Sequence, residues 1–170
     1  MRRLILFRHA KTEARSPTGD DVSRRLTERG RDEAALMGRV LAAACYAPDL
    51  ALVSPAVRAR ETWEALAASF PRARVEWRKA LYEATPEEVA DETSFDTEAA
   101  DTVIVVGHNP SLQELAVNLL IEGGGAHSDI EQLSAGFPTA AAAAFIIDDA
   151  GRHHLEALFF ARDYREGERA

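Results

Sequence analysis

The chain has 170 residues, 46% of them hydrophobic and 28% charged, with a net charge of −8. That composition fits one ordinary globular domain over residues 1–170, with enough chain for a sizeable core. It argues against a general nucleic-acid binder, and no apolar run approaches the roughly 18 residues that span a bilayer. The N-terminal apolar run is cut off by Arg8 and His9 before it could serve as a signal segment. The expectation is a cytoplasmic monomer with no nucleic-acid or membrane partner. Cys45 is the only cysteine, so no internal disulfide can form, and its Ala-rich surroundings predict a small buried apolar residue. The charge is uneven: residues 1–31 hold nine Arg/Lys against four acids, and the other 139 hold 11 against 24. A locally basic segment in an acidic protein suits a small or localised anion better than a long polyanion.

Leu4–Phe7 reads as a buried strand, and the polar stretch 12–25 as a loop. Thr27 is a candidate N-cap for a helix whose apolar positions include Leu36, Met37, Val40 and Leu41. Pro48 is expected to end that helix. Leu50–Val53 is a second buried strand. Ser54 then reads as an N-cap and Pro55 as the first position of a helix reaching about Ser69. Val75–Trp77 is a short strand, Pro86–Ala90 a short helix, and Ser94–Ala100 helical or irregular. Thr102–Val106, β-branched and bounded by Gly107, is the clearest strand. Pro110-Ser111 begins a helix with Leu112, Leu115, Leu119 and Leu120 on one side. Glu122–Ile130, with three glycines but no P-loop Lys, reads as a flexible loop without a nucleotide role. Thr139–Ile147 and Leu155–Ala161 read as a final hairpin around Asp148–Gly151. Strands alternating with helices predict an α/β fold, three layers in α/β/α order. The central sheet is mainly parallel and mixed, with helices on both faces.

In open α/β sheets, ligands bind beyond the carboxyl ends of the strands. Three strands deliver special residues to that edge: the first ends in Arg8-His9, the second leads to Arg58, and the third ends in Gly107-His108-Asn109. Two imidazoles and two guanidiniums suit a phosphoryl group. The guanidiniums would fork its oxygens, one neutral imidazole would attack phosphorus, and a protonated one would stabilise equatorial charge. No metal or other cofactor is needed, because the arginines supply the charge. Each residue also has a plainer reading. His9 could be structural, Arg58 a solvated helix arginine, and His108 a turn or capping residue.

At these residues the chain resembles the histidine phosphatase superfamily, with its phosphoglycerate mutase-like fold. Leu6-Phe7-Arg8-His9-Ala10-Lys11 resembles the first motif. Ser54-Pro55-Ala56-Val57-Arg58-Ala59-Arg60-Glu61-Thr62 resembles the second, and Val105-Val106-Gly107-His108-Asn109-Pro110 the third. Leu26–Gly30 and Leu81-Tyr82-Glu83 match less specifically. The Arg-His-Ala-Lys form and the short length are most similar to the SixA-type phosphohistidine phosphatase branch. The resemblance implies that His9 is the nucleophile of a phosphohistidine intermediate. It makes Arg8, Arg58 and His108 the phosphate pocket, with Asn109 orienting its loop. Lys11 is either a rim cation or an exposed loop lysine.

The substrate follows from the leaving group. Phosphate esters need a general acid, and Glu83 stands where acid-bearing relatives place one; otherwise it is a solvent-facing glutamate in an acidic stretch. Phosphohistidine leaves as an imidazole and needs less help. Relatives acting on sugar phosphates carry a larger insertion near the acid, whereas about 18 residues separate Glu83 from Thr102 here. A shallow, open site for phosphohistidine on a protein is therefore expected. The alternatives are a small phosphorylated metabolite, such as a sugar phosphate or nucleotide, or a non-catalytic phosphate-binding module. A metal site from His9, His108, His127 or His153-His154 lacks any zinc-like spacing.

Overall fold

The strands are Arg3–Arg8 (β1), Leu50–Val53 (β2), Arg74–Trp77 (β3), Thr102–Gly107 (β4), Ala142–Ile147 (β5) and His153–Phe159 (β6). The helices are Glu28–Ala43 (α1), Val57–Ala67 (α2), Pro86–Ser94 (α3), Ser111–Glu122 (α4) and His127–Ala135 (α5). The protein, a computed structural model, is described over residues 1–94 and 99–165. Most of the expected helical or irregular stretch Ser94–Ala100 lies outside the described residues. The strands form one sheet in the order β3-β2-β4-β1-β5-β6. β1 to β4 run parallel, and β5 is antiparallel to both β1 and β6. This is the expected mixed α/β architecture.

Alternation along the strands builds two cores. Ile5, Phe7, Val53, Ile104 and Val106 face α1 and α2, where Met37, Leu41, Trp63 and Leu66 meet them. Leu4, Leu6, Leu52, Val103 and Val105 face α3, α4 and α5, packing with Val89, Leu112, Leu115 and Leu133. β-branched and leucine side chains suit a strand buried on both faces, and burying each contributes about 1.5–3 kcal/mol. Among the described residues no helix is long and apolar enough to cross a membrane.

Several local expectations are corrected. Helix α1 starts at its predicted cap, Thr27, whose hydroxyl accepts from Gly30 N at 2.9 Å. It ends well before Pro48, because Cys45 turns left-handed at φ 63° and Tyr46 N returns to Leu41 O at 2.9 Å. That turn leaves Cys45 exposed, not buried. Helix α2 begins at Val57, with Ala56 in extended conformation at its cap, so Ser54 and Pro55 precede the helix. The predicted loop Glu122–Ile130 runs into α5 from His127. That helix buries only Leu133 fully, too sparse an apolar stripe to read in sequence. Its last carbonyls, of Leu133 and Ser134, accept from Gln113 Nε2 at 2.9 and 3.2 Å. The hairpin is shifted: β5 starts at Ala142, since the preceding residues leave the ladder to bind the β1 end. Ala140 N donates to Arg8 O at 3.1 Å. β6 stops at Phe159, before a 3-10 turn over Ala161–Asp163.

Candidate active site

Strands β2, β4 and β1 lie side by side and parallel, so their carboxyl ends open onto one edge. β1 leads into His9 and β4 into His108. Both rings are largely buried, at 7% and 9% exposure, and their centroids lie 5.2 Å apart. Arg58, in the first turn of α2, is 6% exposed and donates from Nε to His108 Nδ1 at 3.3 Å. Arg8 donates from Nη1 to Phe137 O at 2.8 Å, while its buried Nε has no hydrogen-bond partner. Asn109 Nδ2 donates to Gln113 Oε1 and Phe137 O, both at 3.0 Å. His9, His108 and Arg58 are thus brought together, while Arg8 and Asn109 meet at the Phe137 carbonyl.

The hydrogen bonds fix the ring tautomers. His9 Nδ1 lies 2.8 Å from Ala10 O. A carbonyl only accepts, so Nδ1 carries the proton and Nε2 keeps its lone pair. His108 Nδ1 accepts from Arg58, so its Nε2–H donates to Ser54 Oγ at 2.7 Å. Ser54, expected as a helix cap, orients this imidazole instead. Burial pushes His9 down to about 4, aided by Arg58 and Arg8 and opposed by the Ala10 hydrogen bond. Burial, then His9 and Arg58, push His108 down to about 3. Both rings are thus neutral at pH 7.

These shifts set a pH dependence of stability. Unfolded histidines take up protons below about pH 6.5, while folded His9 and His108 do not until about 4 and about 3. Stability is therefore fully present above pH 6.5 and falls as the pH drops toward 4. Urea unfolding at pH 7, 6 and 5 should give a steep decline in the wild type. His108→Asn should flatten it by about 1.4 kcal/mol per pH unit, one proton's worth. An unchanged slope would place the acid sensitivity elsewhere.

Thr62 ties two motif segments together. Its buried hydroxyl accepts from Ala10 N at 3.0 Å and donates to Arg58 O at 2.6 Å. Thr62→Ala should cost about 1–3 kcal/mol in denaturant unfolding, with Thr62→Ser recovering most of it. Equal losses in both variants would assign the cost to the methyl group.

The loop 12–25 holds the residue that motif spacing missed. Asp21 O accepts from Arg58 Nη1 at 2.8 Å, and Asp21 Oδ2 from Arg58 Nη2 at 2.9 Å. Tyr82 OH adds a hydrogen bond at 3.2 Å to the same carboxylate oxygen. Burial works to raise the Asp21 pKa, but Arg58 and Arg24 hold it below the usual carboxylate range. An internal anion thus occupies part of the Arg58 fork. Glu83 is exposed at φ 58° and lines the same cavity as Asp21, Arg58, Tyr82 and His108, about 290 Å³ in volume. The other histidines lie apart: His127 pairs with Glu131 at 3.2 Å and His154 with Asp148 at 3.0 Å, while His153 packs edge-on to Phe145. Among the described residues no cluster of three or more His, Cys, Asp or Glu is arranged to hold a metal. Lys11 is exposed beside the His9 segment.

Residues 4–103 match the model of the histidine phosphatase superfamily (branch 1). The match takes in the first two motifs and stops short of His108. An uncharacterized Mycobacterium leprae protein is 36% identical over 155 residues, covering 88% of this chain and 92% of its own. The Agrobacterium tumefaciens protein named as a phosphohistidine phosphatase SixA superposes with a TM-score of 0.80 at 29% identity, covering 94% of this chain and 97% of that one. The protein histidine phosphatase SixA complexed with tungstate has the same fold, with a TM-score of 0.77 at 22% identity over 96% and 99% of the two chains.

Proposed function

Because the chain belongs to the histidine phosphatase superfamily and is a phosphatase, we propose that it removes the phosphoryl group from phosphohistidine on a protein, through a phosphorylated His9. The observation that carries this reading is the hydrogen bond from His9 Nδ1 to Ala10 O at 2.8 Å, which leaves a neutral Nε2 lone pair as the nucleophile. In this reading residues 1–170 form one domain that works as a cytoplasmic monomer.

The phosphoryl group sits between the two imidazoles, taking hydrogen bonds from Arg58 and from the unpartnered Arg8 Nε. Asn109 holds its loop against Gln113 and Phe137. His9 Nε2 forms a bond to phosphorus as the substrate P–N bond breaks in line. A phosphohistidine protonated on its other ring nitrogen departs as neutral imidazole, so no external proton is required. The positive charge passes to His9, whose Nδ1–H already points at a carbonyl. Water then attacks phosphorus, releasing orthophosphate and restoring His9. His108 is neutral in the free protein. A dianion placed against it raises its pKa; a proton taken up on Nδ1 ends the hydrogen bond accepted from Arg58 Nε, freeing that N–H for the transferring oxygens and adding positive charge beside them. Binding requires the phosphoryl group to replace Asp21 on Arg58.

One observation favours a second reading, a small phosphoester substrate: Glu83 lines the His108 cavity, where a general acid could reach an alkoxide. The two are separated by assaying wild type and Glu83→Gln on a phosphohistidine protein and on a panel of sugar and nucleoside monophosphates. The phosphohistidine reading expects turnover of the phosphoprotein to change less than about threefold. Preferred hydrolysis of an ester, lost by about 100-fold or more in the variant, would favour the second.

A further inference from the structure

We propose that Asp21 is a specificity-determining residue: its carboxylate competes with free orthophosphate for the Arg58 guanidinium, keeping that anion out of the pocket and driving it off after turnover. This rests on the reading of Arg58 as a phosphate ligand given above. Asp21 O and Oδ2 accept from Arg58 Nη1 and Nη2 at 2.8 and 2.9 Å, the paired arrangement in which a guanidinium also holds two phosphate oxygens. A carboxylate and a phosphate dianion repel, so the two exclude one another from the same fork.

Both groups have a partner in either state. Arg58 is 6% exposed, and a buried guanidinium left without an anion is costly. Asp21 keeps it paired whenever no phosphoryl group is bound. The Asp21 side chain is 54% exposed, so it can turn out into water, and its other oxygen, Oδ1, keeps Arg24 Nε at 2.9 Å. The loop is anchored beside this carboxylate: Val57 N donates to Val22 O at 2.9 Å, and Ser23 N to Asp20 Oδ1 at 2.8 Å. Tethered so close to Arg58, the carboxylate competes at an effective concentration on the order of millimolar or above. The apparent affinity for orthophosphate falls with the fraction of molecules in which Arg58 is released. A phosphorylated protein brings contacts from outside the pocket that offset this cost, whereas orthophosphate has the pocket alone.

Orthophosphate binding to the full chain is measured by titration calorimetry at constant salt, with folding checked by circular dichroism. Asp21→Asn should bind it about tenfold or more tightly than the wild type, and Asp21→Ala should do the same. Asp20→Asn removes an equal charge one residue away, from a carboxylate that holds Thr18 and Ser23 instead of Arg58. It should change binding by less than about twofold. Weaker binding in Asp21→Asn would show that Asp21 holds Arg58 in place for phosphate. Unchanged binding, including none in any of these proteins, would show that it does not contest the fork. Either result overturns the proposal, as does an equal gain in Asp20→Asn. Turnover of a phosphohistidine protein is read separately. Tighter orthophosphate binding in Asp21→Asn with no turnover by the wild type supports the role of Asp21 and overturns the phosphohistidine reading alone.

Discussion

His9→Ala should lower kcat/KM on a phosphohistidine protein by about 10⁴-fold or more, about 5 kcal/mol of transition-state stabilisation. The whole loss should appear in kcat. In the proposed mechanism no bond to phosphorus forms without the imidazole, whereas Arg8, Arg58 and His108 would still bind the phosphoryl group. KM should therefore stay within a few-fold of wild type. The ring is nearly buried, at 7% exposure, so folding of the variant is checked by circular dichroism and denaturant unfolding. A folded variant that retains more than about 1% of wild-type turnover would mean another group makes the bond to phosphorus.

Arg58→Ala carries the second large effect, a loss of about 10³-fold in kcat/KM shared between kcat and KM. Arg58 uses all three guanidinium nitrogens at once, on His108 Nδ1 and on the Asp21 backbone and carboxylate oxygens. A planar fork that holds two oxygens while touching the second imidazole cannot be copied by an ammonium group. Arg58→Lys should therefore recover less than about tenfold of the loss. Full recovery in the lysine variant would show that charge alone matters and that the fork geometry does not.

These two residues were legible because each follows a strand that is easy to read. Leu4–Phe7, Leu50–Val53 and Thr102–Val106 are short apolar runs, and in a parallel sheet their carboxyl ends must share an edge. His108 was legible for the same reason. Asp21 was not, since it lies in a polar loop with no periodicity, and its place on Arg58 depends on how residues 12–25 fold back over the sheet edge. Ser54 had a sound local reading as a helix cap, but tertiary packing gives its hydroxyl to His108. Cys45 was misread because its Ala-rich surroundings describe the end of a helix as well as its buried face, and only the left-handed turn separates the two. Helix α5 was hidden by three preceding glycines and by a single fully buried side chain. The fold was thus readable wherever hydrophobic period sets the element, and the site wherever a strand end sets the position.

The most direct measurement is to mix the protein with a ³²P-labelled phosphohistidine protein, quench in base within the first turnover, and map the label by peptide sequencing. A base-stable, acid-labile phosphate on His9, absent from His9→Ala and discharged when turnover continues, is the predicted result. Label on any other residue, or steady release of orthophosphate with no phosphoenzyme at any time point, would contradict it.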